Sequence, residues 1–242
     1  MGKIIVMLEV ICWKWEPPAN YRSQFRAVHV NILRHMVRRH LTIPHRFSCI
    51  TDNPVGIEPG IRIIPLWKDL EGVRNPNVKN GPSCYRRLKA FSAEAEQIIG
   101  KRILSIDLDC VITDDLVPLV SREEEFICWG DTAKGTYYNG GLWMLTAGTR
   151  TRVWDTFDHK TSPRETSRQR IIGSDQAWIS LCLGGGEAKW GRDDGVYSFR
   201  NHIHGKGSQL PKNAKIILFH GGHDPWHVNI QADYPWVKEF YK

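Results

Sequence analysis

Ile103-Leu104-Ser105-Ile106-Asp107-Leu108-Asp109 sets two carboxylates one residue apart at the end of an apolar, strand-like run. Residues i and i+2 of a strand face the same side, so Asp107 and Asp109 can converge where the chain leaves a sheet. Converging carboxylates are hard oxygen ligands suited to Mg2+ or Mn2+, and phosphate oxygens are the usual further partners of such an ion. Two solvated acids at a strand end are the plain alternative. A second chemistry is open to His202, His204, His220, His223 and His227, whose spacings can bind zinc.

The elements that would position these groups alternate along the chain. Residues 3–13 have the Ile and Val density of a buried parallel strand. After Pro17-Pro18 an apolar stripe predicts a helix over 21–40, carrying Phe25, Val28, Ile32, Leu33, Met36 and Val37. Its other face presents Arg22, Arg26, Arg34, Arg38 and Arg39. Strands are expected at 46–51 and 61–66, and a helix at 85–99 that stops at Gly100. Beyond the acid pair come strands near 125–129, 141–145 and 215–220 and helices near 150–157 and 174–183. Residues 158–170, rich in Arg and Lys, read as a mobile loop facing an anionic partner. This alternation predicts an α/β domain with a mostly parallel sheet covered by helices on both faces.

The 242 residues, 41% hydrophobic, suffice for one well-buried domain. Its first half, 1–110, is read as the nucleotide-binding part and 111–242 as the part serving sugar and acceptor. A formal net charge of +7 favours anionic partners. The six cysteines form no C-x-x-C pair and fall in or beside apolar runs, which predicts reduced thiols and a cytoplasmic protein. No stretch reaches the roughly 20 apolar residues needed to span a bilayer, so no transmembrane segment is expected.

Five pieces in sequence order resemble the glycogenin-like retaining glycosyltransferases of the A-type (GT-A, Rossmann-like) fold. They are Tyr21 after the first strand, Tyr85-Arg86-Arg87-Leu88 before the Asp-x-Asp strand, Asn139-Gly140-Gly141 entering a strand, Ser174-Asp175-Gln176 opening a helix, and His220-Gly221-Gly222-His223-Asp224-Pro225-Trp226 after the last strand. The resemblance implies transfer of a sugar from a nucleoside diphosphate, UDP foremost, to an acceptor hydroxyl with retention. It implies Mn2+ (or Mg2+) held by Asp107, Asp109 and His220. It implies donor contacts from Tyr21 or Trp13, Arg86, Arg87, Asp107, Gly140, Gly141, Gly222 and His223, and places Asn139, Asp175 and Gln176 beside the reacting sugar. The chain departs from the family pattern at Asp224, where a phosphate-binding Lys is expected. Phosphate neutralisation must then come from elsewhere, with His223, Arg86 and Arg87 as candidates.

A haloacid-dehalogenase-type phosphatase also uses Asp-x-Asp, with Asp107 as nucleophile. That family puts the motif on its first strand and needs a Lys and a second acid pair, for which only Lys134 and Asp193-Asp194 offer themselves. A third reading is a binding protein that holds a nucleotide or glycan without chemistry. For an enzyme, the acceptor is an anionic glycan or another hydroxyl compound, with modified bases in DNA a minor option.

Overall fold

The computed structural model describes residues 7–16, 24–76, 83–131 and 135–242. Two sheets carry the fold. The larger takes β1 (Leu8–Lys14), β2 (His45–Thr51), β3 (Arg62–Pro65), β4 (Arg102–Ile106), β6 (Phe126–Trp129), β7 (Asn139–Thr146) and β8 (Ala188–Trp190) in the order β3-β2-β1-β4-β7-β6-β8. β5 (Cys110–Ile112), β9 (Val196–Ser198) and β10 (Ile216–Leu218) form the smaller one, in the order β5-β10-β9. In the larger sheet β1 pairs in parallel with β2 and β4, β2 with β3, and β6 with β8. Only β7 runs against its neighbours β4 and β6. The expected α/β class with a mostly parallel sheet is therefore what the chain adopts.

Side-chain alternation along the central strands builds two cores. Val10 and Cys12 of β1, Leu104 and Ile106 of β4, and Leu142 and Met144 of β7 face one core, which α1 (Ala27–His40) covers with Val30, Leu33, Met36 and Val37. Ile11, Trp13, Ile103, Trp143 and Leu145 face the other. It is closed by a 3-10 helix (Tyr85–Phe91), by α2 (Ala95–Ile98), by α4 (Arg152–Asp155) and by α6 (Asp175–Leu183). Short helices α3 (Val117–Val120), α5 (Ser162–Arg168), α7 (Val228–Asp233) and α8 (Pro235–Phe240) complete the chain.

Three expectations need correcting. Helix α1 starts at Ala27, because the Arg26 backbone N–H donates to His29 Nδ1 at 3.1 Å and Arg26 is extended. Burial first, then Arg26, hold His29 down at a pKa of about 4, so its ring stays a neutral acceptor. The helix expected over 85–99 is broken at Ser92, whose backbone is extended (φ −69°, ψ 160°). Its first part is wound at three residues per turn, which suits the spacing of the buried Tyr85, Leu88 and Phe91. Residues 158–170 are not a loop. Asp158 Oδ1 accepts from the N–H groups of Lys160 and Thr161, and α5 follows. Their basic charge is partly neutralised within the fold, Arg168 by Glu165 and the nearby Arg150 by Glu125 and Glu187.

Because β1 connects outward to β2 and β3 while β4 lies on its other side, the order reverses between β1 and β4. Ligands of open α/β sheets bind at such a switch point, beyond the carboxyl ends of the strands. Trp143 of β7 packs 5.5 Å from Phe91 and ties the 3-10 helix to the sheet at this end. Trp143→Ala should lower unfolding free energy by about 3–5 kcal/mol in urea denaturation; a loss under 1 kcal/mol would show that this contact does not hold the two together.

Candidate functional site

At the switch point lies a cleft of about 550 Å³, within the range of small-molecule sites. β1 contributes Trp13, the turn after β4 contributes Asp107, Leu108 and Asp109, and the reversed β7 contributes Asn139, Gly140 and Gly141 from its first residues. Cys84 and Arg87 come from the 3-10 helix and its N-cap, Ser174, Asp175 and Gln176 from the start of α6, and His220 from just beyond β10. Asp107 and Asp109 stand past the end of β4 in a bend, yet both reach the cleft. The Asp107 N–H donates to the Gly141 carbonyl at 2.9 Å, carrying the β4–β7 ladder one step beyond the strand.

Arg87 organises the charges. Its Nη2 is 2.7 Å from Asp107 Oδ1, its Nη1 is 3.8 Å from Asp175 Oδ2, and Nη1 donates to the Gly140 carbonyl at 3.2 Å. The guanidinium also lies 6.0 Å from the Trp13 ring and 5.8 Å from the Trp15 ring, within cation–π range. Burial opposes its charge, but Asp107, Cys84 and Asp175 outweigh this and hold the proton on firmly. Asp175 is 4% exposed; burial pushes its carboxyl above the ordinary carboxylate range against the pull of Arg87. Burial likewise pushes the Cys84 thiol up to about 12, which makes it an inert wall residue. Asp175 Oδ2 and Arg87 Nε are buried and make no hydrogen bond among the described residues, whereas Asp107 Oδ1 is held by Arg87 Nη2. Buried polar atoms are rarely left so, and their grouping here suits a polar ligand.

The glycine pair sits where its neighbours approach closely. A Cβ on Gly140 would stand 3.1 Å from Asp175 Oδ2, and one on Gly141 would stand 3.1 Å from Leu218 Cδ2 and 3.5 Å from Asp107 Oδ2. Asn139 spends its side chain on the same turn: Oδ1 accepts from Gly141 N at 2.9 Å and Nδ2 donates to the Asp131 carbonyl at 3.1 Å. Gln176 Oε1 accepts from Gly140 N at 3.3 Å. Ser174, at the N-cap of α6, makes no side-chain cap; its hydroxyl accepts from Cys84 N at 3.0 Å and joins α6 to the 3-10 helix.

Other expected site residues fall elsewhere. Successive residues of the 3-10 helix point about 120° apart, so Arg86 does not follow Arg87 into the cleft. Its guanidinium donates to the Trp67 carbonyl instead. His223 and Gly222 are also absent from the lining; the His223 ring packs 4.1 Å from His204. Trp13 does line the cleft, but it is 4% exposed and its Nε1 donates to Ser105 Oγ at 2.9 Å, so it is a wall more than a stacking platform. Tyr21 lies outside the described residues, as does Lys134. Asp194 accepts from Gly191 N at 2.8 Å, and neither it nor Asp193 lines the cleft. Residues not singled out from the sequence also line it, among them Asn75, Trp129, Asp131, Arg200 and Asn201, together with Phe25, which was expected in the stripe of the first helix.

His220 Nε2 shares a 2.7 Å hydrogen bond with Ser198 Oγ. In the tautomer where Nε2–H donates, the lone pair is on Nδ1, the usual arrangement of a metal-binding histidine held by a second residue. Among the described residues no three His, Cys, Asp or Glu side chains close around a point as a preformed metal cage, which applies equally to the zinc reading. Mg2+ and its relatives seldom use such cages; one or two carboxylates plus substrate phosphates are common. Asp107, Asp109 and His220, sharing one cleft, fit that open donor set.

The chain matches no protein-family model and no curated protein. Its architecture is similar to that of the galactosyltransferase LgtC in complex with donor and acceptor sugar analogs, with a TM-score of 0.62 and 16% identity over 98% of this chain and 97% of that one. It is also similar to the bifunctional glycosyltransferase WbbM (TM-score 0.56, 14% identity, 100% of this chain and 52% of that one). A third likeness is to GlyE of Streptococcus pneumoniae (TM-score 0.54, 12% identity, 91% of this chain and 57% of that one). The chain has the GT-A glycosyltransferase fold.

Removing Arg87 would leave Asp107 and Asp175 facing each other without their shared cation. Arg87→Ala should cost about 3–5 kcal/mol at pH 7. Carboxylates so exposed to each other acquire raised native pKa values, so their penalty is full at high pH and fades as protons return. The difference from the unmutated protein in urea denaturation should therefore narrow between pH 7 and pH 4.5; a difference that widens on acidification would contradict the ion triad.

Proposed function

We propose that this protein transfers a sugar from a nucleoside-diphosphate donor, UDP foremost, to an acceptor hydroxyl with the help of a divalent cation, retaining the anomeric configuration. One observation carries the reading: in a GT-A fold, a single cleft at the switch point gathers Asp107, Asp109 and His220 with Asp175 and Gln176. When bound, Mn2+ or Mg2+ at Asp107, Asp109 and His220 supplies Lewis-acid neutralisation of the departing diphosphate. Arg87 fixes Asp107 in place, so its orientation is set before the donor arrives. Gly140 and Gly141 leave room for the sugar ring beside the carboxylates. Asp175 and Gln176 adjoin the sugar, orient its hydroxyls and oppose the positive character that develops at the anomeric carbon. A glutamine is an active-site residue of LgtC, a glutamate replacement of which has been solved, in keeping with a role for Gln176.

Several features support the remaining parts of the reading. The net charge of +7 suits an anionic glycan as acceptor, whereas none of the likenesses supports DNA in that role. All six cysteines are free thiols, which suits a reducing cytoplasm. No helix among the described residues is long and apolar enough to cross a membrane. The phosphatase alternative is disfavoured because Asp107 is ion-paired with Arg87, and because Asp193 and Asp194, the acid pair offered for it, do not line the cleft.

Asp109→Asn keeps the side-chain shape and removes the charge. Transfer from a panel of UDP- and GDP-sugars with Mn2+ should fall to background while the melting temperature without ligand stays within a few degrees; normal turnover would remove Asp109 from the metal site. For Gln176→Ala, kcat should drop roughly tenfold to a hundredfold with little change in donor KM, the pattern of an interaction made in the transition state. A change confined to KM would instead make Gln176 a ground-state contact.

A further inference from the structure

Among the described residues, the cleft is short of positive charge for the ligand proposed. Asp107, Asp109, Asp131 and Asp175 all line it, and Arg87 is engaged with two of them. A diphosphate entering such a lining meets carboxylates on several sides, and one divalent cation offsets only part of that charge. Among the described lining residues the other arginine is Arg200, which is exposed and makes no ion pair with a described residue.

Its setting is built to hold it there. Arg200 belongs to a π-turn, Phe199–Ile203, that directly follows β9. Phe199 is fully buried and stacks on Phe219 at 4.3 Å, anchoring the turn in the core next to the residue that precedes His220. The Ser198 hydroxyl accepts from Asn201 N at 3.0 Å and also bonds His220 Nε2, so one serine positions both the turn and the imidazole. Asn201 Nδ2 donates to Asp131 Oδ2 at 3.0 Å and occupies that carboxylate. Gly221 has φ +83°, and a Cβ there would stand 3.1 Å from Arg200 Nη1. A side chain at 221, the residue that follows His220, would therefore press on the guanidinium.

We infer that Arg200 is the residue that grips the donor diphosphate, on the His220 side of the cleft, with the bidentate fork that a guanidinium offers to phosphate oxygens. This rests on the nucleoside-diphosphate reading above. It assigns the two cleft arginines different tasks: Arg87 holds acids in place, and Arg200 meets the substrate.

The test is calorimetric titration of UDP and GDP, in excess MnCl2, into the unmutated protein, Arg200→Ala and Arg200→Lys, with uridine and guanosine as probes lacking phosphate. Arg200→Ala should weaken binding of the preferred diphosphate roughly tenfold to a hundredfold and leave the matching nucleoside unaffected, and Arg200→Lys should recover part of the loss. Diphosphate affinity unchanged in Arg200→Ala, while the unmutated protein binds it, would overturn the role of Arg200 alone. An equal loss for diphosphate and nucleoside would also overturn it, since the cleft as a whole would then have changed. An unmutated protein that binds neither UDP nor GDP would instead refute the donor reading and this inference with it.

Discussion

The architecture of the cleft depends on one guanidinium held between two acids that are distant in sequence. Arg87, Asp107 and Asp175 sit on a 3-10 helix, the turn after β4 and the first residue of α6. Each is costly to bury alone. Together they offset one another, which holds the mouth of the sheet, the 3-10 helix and α6 in one arrangement. The rest follows from that contact. Gly140 is close-packed because Asp175 stands so near β7, and Gly141 because Leu218 and Asn139 stand near it. The Ser174 hydroxyl links α6 to the 3-10 helix at the same place.

The His220 side of the cleft is built differently. There the Ser198 N–H donates to His202 Nδ1, its hydroxyl bonds His220 Nε2 and accepts from Asn201 N, and the contact of His202 with Asp131 is long at 3.8 Å. Pro225-Trp226, expected as part of the donor motif, serves packing: the Trp226 ring stacks on His29 at 4.0 Å and meets Phe25 at 5.7 Å. Asp224 beside it is buried, at 1% exposure, and is held in that packing rather than presented to the cleft. One side of the cleft is thus fixed by strong charge contacts. The other rests on directional hydrogen bonds and aromatic packing.

Much of this was readable before the structure, for physical reasons. Strands buried on both faces announce themselves as continuous apolar runs, and β4, β7 and the C-terminal end of β1 were found with small errors. Asp107, Asp109, Asn139, Gly140, Gly141, Asp175, Gln176 and His220 could be proposed as one group because each follows or opens a recognisable element. Three things were hidden. Arg86 and Arg87 are neighbours offered together by the sequence, and only the direction of the 3-10 turn shows that Arg87 enters the cleft while Arg86 turns to Trp67. A spacing of three in Tyr85, Leu88 and Phe91 was the available signal. Arg200 lies in a π-turn with no periodic pattern, brought to the cleft by the stacking of Phe199 on Phe219 and the hydrogen bonds of Asn201. The helical character of α5 was masked by its charge, which α5 and its neighbours neutralise internally.

The reversed strand β7 carries a consequence for how this geometry can vary. A parallel strand brings its last residues to the cleft, whereas β7 brings its first, and there it pairs Leu142 with Ile106 and lets Gly141 receive the N–H of Asp107. Slipping this hairpin partner by one residue would turn Trp143 and Leu145 into the layer now filled by Leu142 and Met144. The separation between the small residues and the carboxylates therefore comes in discrete steps. Drift in the site by gradual sliding is closed off, and change has to come through substitution in the turns around it.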